Sequence, residues 1–247
     1  MAVENLGDIR HLSYHYPRSA GFRAQAPYIA LQRLKRHIRL PDGPRPIGHI
    51  LHNRQSNQIV VGIPKVGTRT LLATLRTGAL SPQVEEQEAT LSEVLFRIPL
   101  GQSVDVAAFV RNPWARVFSA WSDKIARLDS DGHRARRIAR HKGLWPAMPF
   151  ANFVEWLASP AGTDAHADRH WMSQHKFIAT DRAPVHWRKL EGLGPQLSLF
   201  GQSLPMRQEN STDLSHNRYR AAYTPDLVEI IAKRYATDIK TFGYSFD

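Results

Sequence analysis

The stretch from Asn57 to Leu80, NQIVVGIPKVGTRTLLATLRTGAL, constrains the chain more than any other, because its hydrophobic period changes across a turn that carries a lysine. Ile59, Val60, Val61 and Ile63 form a short β-branched run of the kind that fills a strand buried on both faces. Pro64 ends the run, and Leu71, Leu72 and Leu75 then recur at helical spacing behind Gly67 and Thr68. A strand, turn and helix in this order present backbone N–H groups at a helix N-terminus, which is a ready anion site. Lys65 adds a positive charge and Thr68 and Thr70 add hydroxyl donors, so phosphate or sulfate is the natural guest. A plain parallel strand joined to a helix, with Lys65 solvated, leaves the same pattern. The spacing of Gly62 and Gly67 fits a Walker A loop, but Thr68 stands where that loop needs its lysine, which weakens an ATPase reading.

A second strand-to-helix junction lies at VAAFVRNPWARVFSAW, residues 106–121. Its apolar run ends at Arg111-Asn112-Pro113, and proline suits the first turn of the helix that follows. Arg111 thus falls at the C-terminal end of a strand, the edge where open parallel sheets bind ligands. Ser119 lies about two helical turns further on, and Arg116 offers a second guanidinium on the same helix. A forked guanidinium with a hydroxyl is good phosphate chemistry. Singly, Arg111 reads as a strand-end salt bridge and Ser119 as a small residue at a helix contact.

Taken together, these segments resemble the PAPS-dependent sulfotransferases. IPKVGTRTL looks like the family's 5′-phosphosulfate loop, and residues 106–121 resemble its 3′-phosphate segment. His170-Trp171 followed by Gln174, and YATDIKTFGYSF at 235–246, are similar to stretches of the carbohydrate (Golgi-type) sulfotransferases and their bacterial relatives. The likeness covers roughly residues 57–247. It implies a three-layer α/β fold of the P-loop nucleotide-kinase type, with a short parallel central sheet flanked by helices. It also implies PAPS as co-substrate without a metal, and a carbohydrate or glycan acceptor. By the same resemblance Lys65, Val66, Gly67, Thr68, Arg69 and Thr70 hold the 5′-phosphosulfate, Arg111 and Ser119 hold the 3′-phosphate, and Lys65 and His170 are catalytic. Relatives use either histidine or glutamate as the base, so Glu85, Glu86, Glu88 and Glu93 stand beside His170 as candidates.

Thirty-three Lys and Arg against twenty-two Asp and Glu give a net charge of +11, which favours a polyanionic partner: nucleic acid, acidic membrane, acidic glycan or phosphorylated cofactor. A basic nucleic-acid-binding protein is therefore one rival reading, opposed by the lack of a recognised binding motif, and a phosphotransferase on the same fold is another. Cysteine is absent, which excludes disulfides, a thiolate nucleophile and Cys-based metal sites and fits a reducing compartment. No His-Glu-x-x-His motif occurs among the twelve histidines, and no metal is expected. With no leader pattern and no apolar run of about 20 residues, the expected setting is cytoplasmic.

The remaining chain divides into an N-terminal arm, residues 1–56, and a single domain, residues 57–247. The arm contains Pro17, Pro27, Pro41, Pro44 and Pro46, and only Tyr28 to Leu40 has helical character. Residues 81–103, rich in glutamate, have modest helix-forming character, and 122–145 form an Arg-rich helical stretch expected to face solvent. Phe150 to Leu157 reads as a core helix and Ala183 to Leu190 as a strand ending at Glu191. A leucine-bearing helix is expected next, then a polar loop at 206–213 and a final helix from Pro225 to Thr237. Phe242-Gly243-Tyr244 is expected to fix the C-terminus to the core.

Overall fold

The computed structural model describes residues 44–77, 84–127, 135, 138, 140–194, 196–200, 202–205 and 218–246. The expected helix at Tyr28–Leu40, the polar loop at 206–213 and most of 128–139 lie outside the described residues.

The β-branched run forms strand β2 (Gln58–Gly62), but it is not the first strand. Strand β1 (Gly48–Asn53) precedes it, within the segment assigned to the arm. β1 pairs antiparallel with β2, His49 opposite Gly62 and Asn53 opposite Gln58. The connecting turn is built by side chains: Asn53 Oδ1 accepts from Gln55 N at 3.0 Å and Ser56 N at 3.2 Å. Asn57, with φ 52°, supplies the left-handed residue in place of glycine.

Strand β3 (Val84–Ala89) also pairs antiparallel with β1 at the sheet edge. The glutamate-rich segment 81–103, expected to have helical character, thus forms a strand at Val84–Ala89 and is helical, among its described residues, only from Leu91 to Arg97. Charged side chains suit an edge, because they discourage pairing with another chain. Helix α1 (Thr68–Thr77) follows β2, and helix α2 (Leu91–Arg97) follows β3 through a capping box in which Thr90 and Glu93 satisfy each other's backbone N–H.

Strands β4 (Asp105–Val110) and β5 (Val185–Lys189) continue the sheet in the order β3-β1-β2-β4-β5. β2, β4 and β5 are parallel neighbours, Ile59 opposite Val106 and Val106 opposite Val185. The expected short parallel sheet is present as β2-β4-β5, and β1, which runs against both its neighbours, and β3 extend it to a mixed five-stranded sheet. Helix α3 (Pro113–Lys124) follows β4, with Asn112 Oδ1 capping Trp114 N and Ala115 N. Helix α4 (Phe150–Ala158) is a core element as expected, its Phe150 ring meeting Phe118 and Trp121 of α3.

A helical turn, α5 (His175–Ile178), leads toward β5. The leucine-bearing stretch just after Glu191 is not the expected helix: past a 3₁₀ turn (Leu190–Gly192) the chain makes a hairpin, β6 (Gln196–Leu199) with β7 (Gln202–Pro205). The leucines there alternate along strands, and Gly194 and Pro195 ahead of them oppose helix continuation.

The C-terminal helix breaks at Tyr235 into α6 (Pro225–Arg234) and α7 (Ala236–Phe242). Phe242 is buried against Trp187, and Tyr244 donates to Glu191 Oε2 at 3.0 Å, so the C-terminus is fixed to the core.

Candidate active site

The C-terminal ends of β2 and β4 are adjacent, and the two sequence junctions meet there. The β2–α1 turn is held in an uncommon conformation. Lys65 and Gly67 both take left-handed backbone angles, φ 72° and 71°. Glycine does this freely, whereas lysine must be held by its surroundings. Arg116 Nε donates to Pro64 O at 3.0 Å, Arg111 Nη1 to Lys65 O at 3.2 Å, and Thr68 Oγ1 to Ile63 O at 2.6 Å. Val66 is fully buried beneath the turn.

Close packing at Gly62 adds a further constraint, since a Cβ there would lie 2.8 Å from His49 O. The helical ladder begins with Leu71 N donating to Gly67 O, so the amides of Gly67, Thr68 and Arg69 lie ahead of it, at the end favoured by anions. Thr68, Arg69 and Thr70 form the first turn of α1; the side chain of Arg69 lies outside what the structure describes.

The Lys65 ammonium is mostly enclosed and donates to Asp123 Oδ2 at 2.8 Å. Burial lowers its pKa from the ordinary lysine value, while Asp123 pulls the other way. Lys124 Nζ lies 3.1 Å from the same Asp123 oxygen. Partial burial alone would raise the Asp123 carboxyl; the two ammonium groups outweigh it and hold the group well below the usual carboxylate range. Arg111, half-buried, approaches from the β4 side, so the turn is strongly electropositive. Ser119 is half-buried on α3, about 9 Å along the helix from Pro113.

Arg116 does not serve as the second anion-binding guanidinium. It is 1% exposed, and its Nε, Nη1 and Nη2 donate to the carbonyls of Pro64, Met172 and Arg169. It ties the turn to the 168–175 segment.

That segment brings His170 toward the turn, because the one Arg116 guanidinium bonds Pro64 O ahead of Lys65 and the carbonyls of Arg169 and Met172 on either side of His170. His170 Nδ1 is paired with Asp168 Oδ1, and the same oxygen accepts from His170 N at 3.0 Å. A carboxylate on Nδ1 fixes the tautomer and leaves Nε2 as the proton acceptor. Burial lowers the His170 pKa below its ordinary value, with Asp168 opposing.

Among the glutamates, Glu93 belongs to the cap of α2 and bonds Arg45 at 2.9 Å. Glu85 bonds Arg54 Nε at 2.6 Å, opposite His52 and about 10 Å down the strand from the site edge. Glu88 stands level with Gly62, 2.9 Å from Arg169 and 3.6 Å from His49 Nε2, and Glu86 lies 4.0 Å from His49 Nδ1. Glu88, Asp168 and Arg169 also line a cleft of about 1160 Å³ together with Arg45, Arg140 and Lys142.

Sequence reasoning missed Asp123 and His49. Asp123 reads as an ordinary charge in an Arg-rich stretch, and His49 lay in the presumed arm; the spacing of Asp123, two turns past Arg116 on the helix, carries only a faint signal. Among the described residues no group of three His, Cys, Asp or Glu side chains is placed to hold a metal ion, and no helix is long and apolar enough to cross a membrane.

The sulfotransferase family model matches residues 49–245, beginning within β1 and ending beyond α7. Comparison with curated proteins and with solved structures finds no match. The matched span takes in both strand-to-helix junctions, the 168–175 segment and the C-terminal helices that brace them, and on that ground the chain belongs to the sulfotransferase family.

Proposed function

We propose that this protein transfers a sulfuryl group from PAPS to a hydroxyl of a carbohydrate acceptor, releasing adenosine 3′,5′-bisphosphate. The observation that carries the reading is the joining of the two candidate anion sites: the Arg111 guanidinium reaches the backbone of the very residue, Lys65, whose ammonium stands in the turn. The residues fit a nucleotide with two separated anionic ends. Gly67 keeps the turn open to close approach, Lys65 and the amides ahead of α1 face one end, and Arg111 with Ser119 suits the other.

PAPS supplies an activated sulfuryl group with a phosphate leaving group. Lys65 and the turn amides stabilise the charge that develops on the bridging oxygen, a preorganised electrostatic role that needs no covalent step. His170, held by Asp168, accepts the acceptor hydroxyl proton at Nε2. The cleft beside Asp168 and Arg169 is large enough for a saccharide, and its Arg45, Arg140 and Lys142 side chains suit an acceptor carrying negative charge.

Thermal-shift titration with adenosine 3′,5′-bisphosphate, ADP and duplex DNA separates this reading from its rivals. Stabilisation by the bisphosphate well beyond ADP is expected, followed by transfer of label from ³⁵S-PAPS to saccharide acceptors. Preference for ADP supports a phosphotransferase, and stabilisation by DNA alone supports a nucleic-acid-binding protein.

A further inference from the structure

The backbone around Lys65 is fixed by buried or half-buried donors: Arg116 on Pro64 O, Arg111 on Lys65 O, Thr68 on Ile63 O. Its ammonium is held differently. Asp123 Oδ2 lies 2.8 Å from Lys65 Nζ, and the Asp123 side chain is 45% exposed at the end of α3. The carboxylate thus takes the position on the ammonium that an incoming anion needs, from a half-exposed place at the helix end that borders water. Lys124 Nζ lies 3.1 Å from that same Oδ2, so Asp123 keeps a cationic partner after leaving Lys65. The exchange requires no unpaired charge to be buried, because the anion replaces Asp123 on Lys65 while Lys124 retains it.

We propose that Asp123 is an internal competitor for the Lys65 ammonium, displaced when an anionic group binds the β2–α1 turn and returning as that group leaves. This rests on the reading that the turn holds the 5′ end of the nucleotide. Two consequences follow from mass action. Asp123 keeps the enclosed Lys65 charged and oriented before an anion arrives, and it weakens retention of the bisphosphate product, which favours turnover. A carboxylate so close to the binding position also opposes a second anion by like-charge repulsion.

The test is calorimetric titration of the wild type, Asp123→Asn and Asp123→Ala with three probes: adenosine 3′,5′-bisphosphate, adenosine 3′-monophosphate and inorganic sulfate. Both variants are expected to bind the bisphosphate and sulfate about threefold to tenfold more tightly, the range for removing a half-exposed ion pair, with adenosine 3′-monophosphate unchanged. Thermal unfolding checks that each variant folds, which its exposed position favours. Equal gains for the two nucleotides show only a general charge effect and overturn the proposal. Unchanged or weaker bisphosphate binding overturns it as well. If no nucleotide binds the wild type, the nucleotide reading itself fails, and sulfate alone then decides: a tighter variant supports the competition, an unchanged one ends it.

Discussion

The carboxamide of Gln174 brackets the peptide of Arg111: its Oε1 accepts from Arg111 N at 2.9 Å and its Nε2 donates to Arg111 O at 2.8 Å. A buried side chain thereby continues the ladder past the end of β4 and fixes the residue that reaches Lys65. Gln174 is itself held from behind, since the fully buried Asp238 accepts from Gln174 N at 2.7 Å and from His175 N at 2.9 Å. The C-terminal helix α7 is thus linked through α5 to the candidate anion site.

Gln174→Leu keeps the volume and removes both bonds, leaving the Arg111 N–H and C=O without this partner. Each such group costs about 1–3 kcal/mol when buried, so a total loss of roughly 2–4 kcal/mol is expected in urea denaturation. Adenosine bisphosphate binding should weaken at the same time through the displaced guanidinium. A loss under about 0.5 kcal/mol would show that water replaces the carboxamide at no cost.

At Lys65 the backbone and the charge can be separated. Lys65→Ala should lower turnover about a hundredfold, as loss of one preorganised donor commonly does, while it keeps the strain of a left-handed non-glycine residue. Lys65→Gly removes the same charge and relieves the strain, so it should be roughly 1 kcal/mol more stable than the alanine variant and equally slow. Steady-state kinetics and denaturation on the pair test both halves. Near-normal turnover in either variant would remove the ammonium from the chemistry.

Much of this site is legible in the sequence because its main elements carry local signals. The period change at Pro64 and the Arg-Asn-Pro junction each mark a strand end and a helix start by rules that need no tertiary information. The errors have tertiary causes. β1 was hidden because its turn, Arg54-Gln55-Ser56-Asn57, contains no glycine or proline and relies on the Asn53 side chain instead. β3 was hidden because glutamate favours helices until an edge position gives its charge a use. Arg116 read as an anion ligand because sequence shows its charge and not its burial; only the fold reveals that carbonyls of Pro64, Met172 and Arg169 take its donors. The pairing of Lys65 with Asp123 spans 58 positions, and no local pattern encodes it.

The Asp164–Arg234 pair predicts the acid limit of the fold. Arg234 Nη2 lies 2.6 Å from Asp164 Oδ1, with side chains 9% and 14% exposed, and Ser173 N donates to the same oxygen at 3.0 Å. Burial would raise the Asp164 carboxyl, but Arg234 and Ser173 outweigh it and its pKa is lowered. A lowered folded pKa means the unfolded chain binds the proton more readily. The stabilisation is therefore complete above about pH 4, the unfolded aspartate value, and is lost as pH falls through the lower folded pKa. Urea denaturation from pH 7 to pH 2 should show that loss. Arg234→Ala removes the nearest cation from the buried carboxylate, leaving it Ser173 N and Lys176 Nζ at 3.9 Å, and should cost about 3–5 kcal/mol at pH 7 and flatten the acid dependence. An unchanged acid dependence in the variant would assign the limit to other carboxylates.

The identity of the base gives the last prediction, and the geometry narrows the field before any experiment. Glu93 is committed to a helix cap and Glu85 to Arg54, which leaves Glu88, with Glu86 beside it, as the carboxylate rival at the sheet edge near His49. His170 has what a base needs: burial keeps the imidazole neutral at physiological pH, and Asp168 on Nδ1 directs proton acceptance to Nε2. Because burial lowers its pKa, the acidic limb of kcat/KM should fall away below the ordinary histidine value of about 6.5, not above it. Asp168→Asn removes a partner that raises that pKa, so its limb should move to lower pH while turnover falls through loss of the fixed tautomer. His170→Ala should abolish the limb and most activity, yet bind adenosine bisphosphate as the wild type does. A His170→Ala enzyme that keeps its rate, with Glu88→Gln inactive, would move proton acceptance to the β3 edge and leave the Asp168–His170 pair as a brace for the turn that Arg116 ties to it.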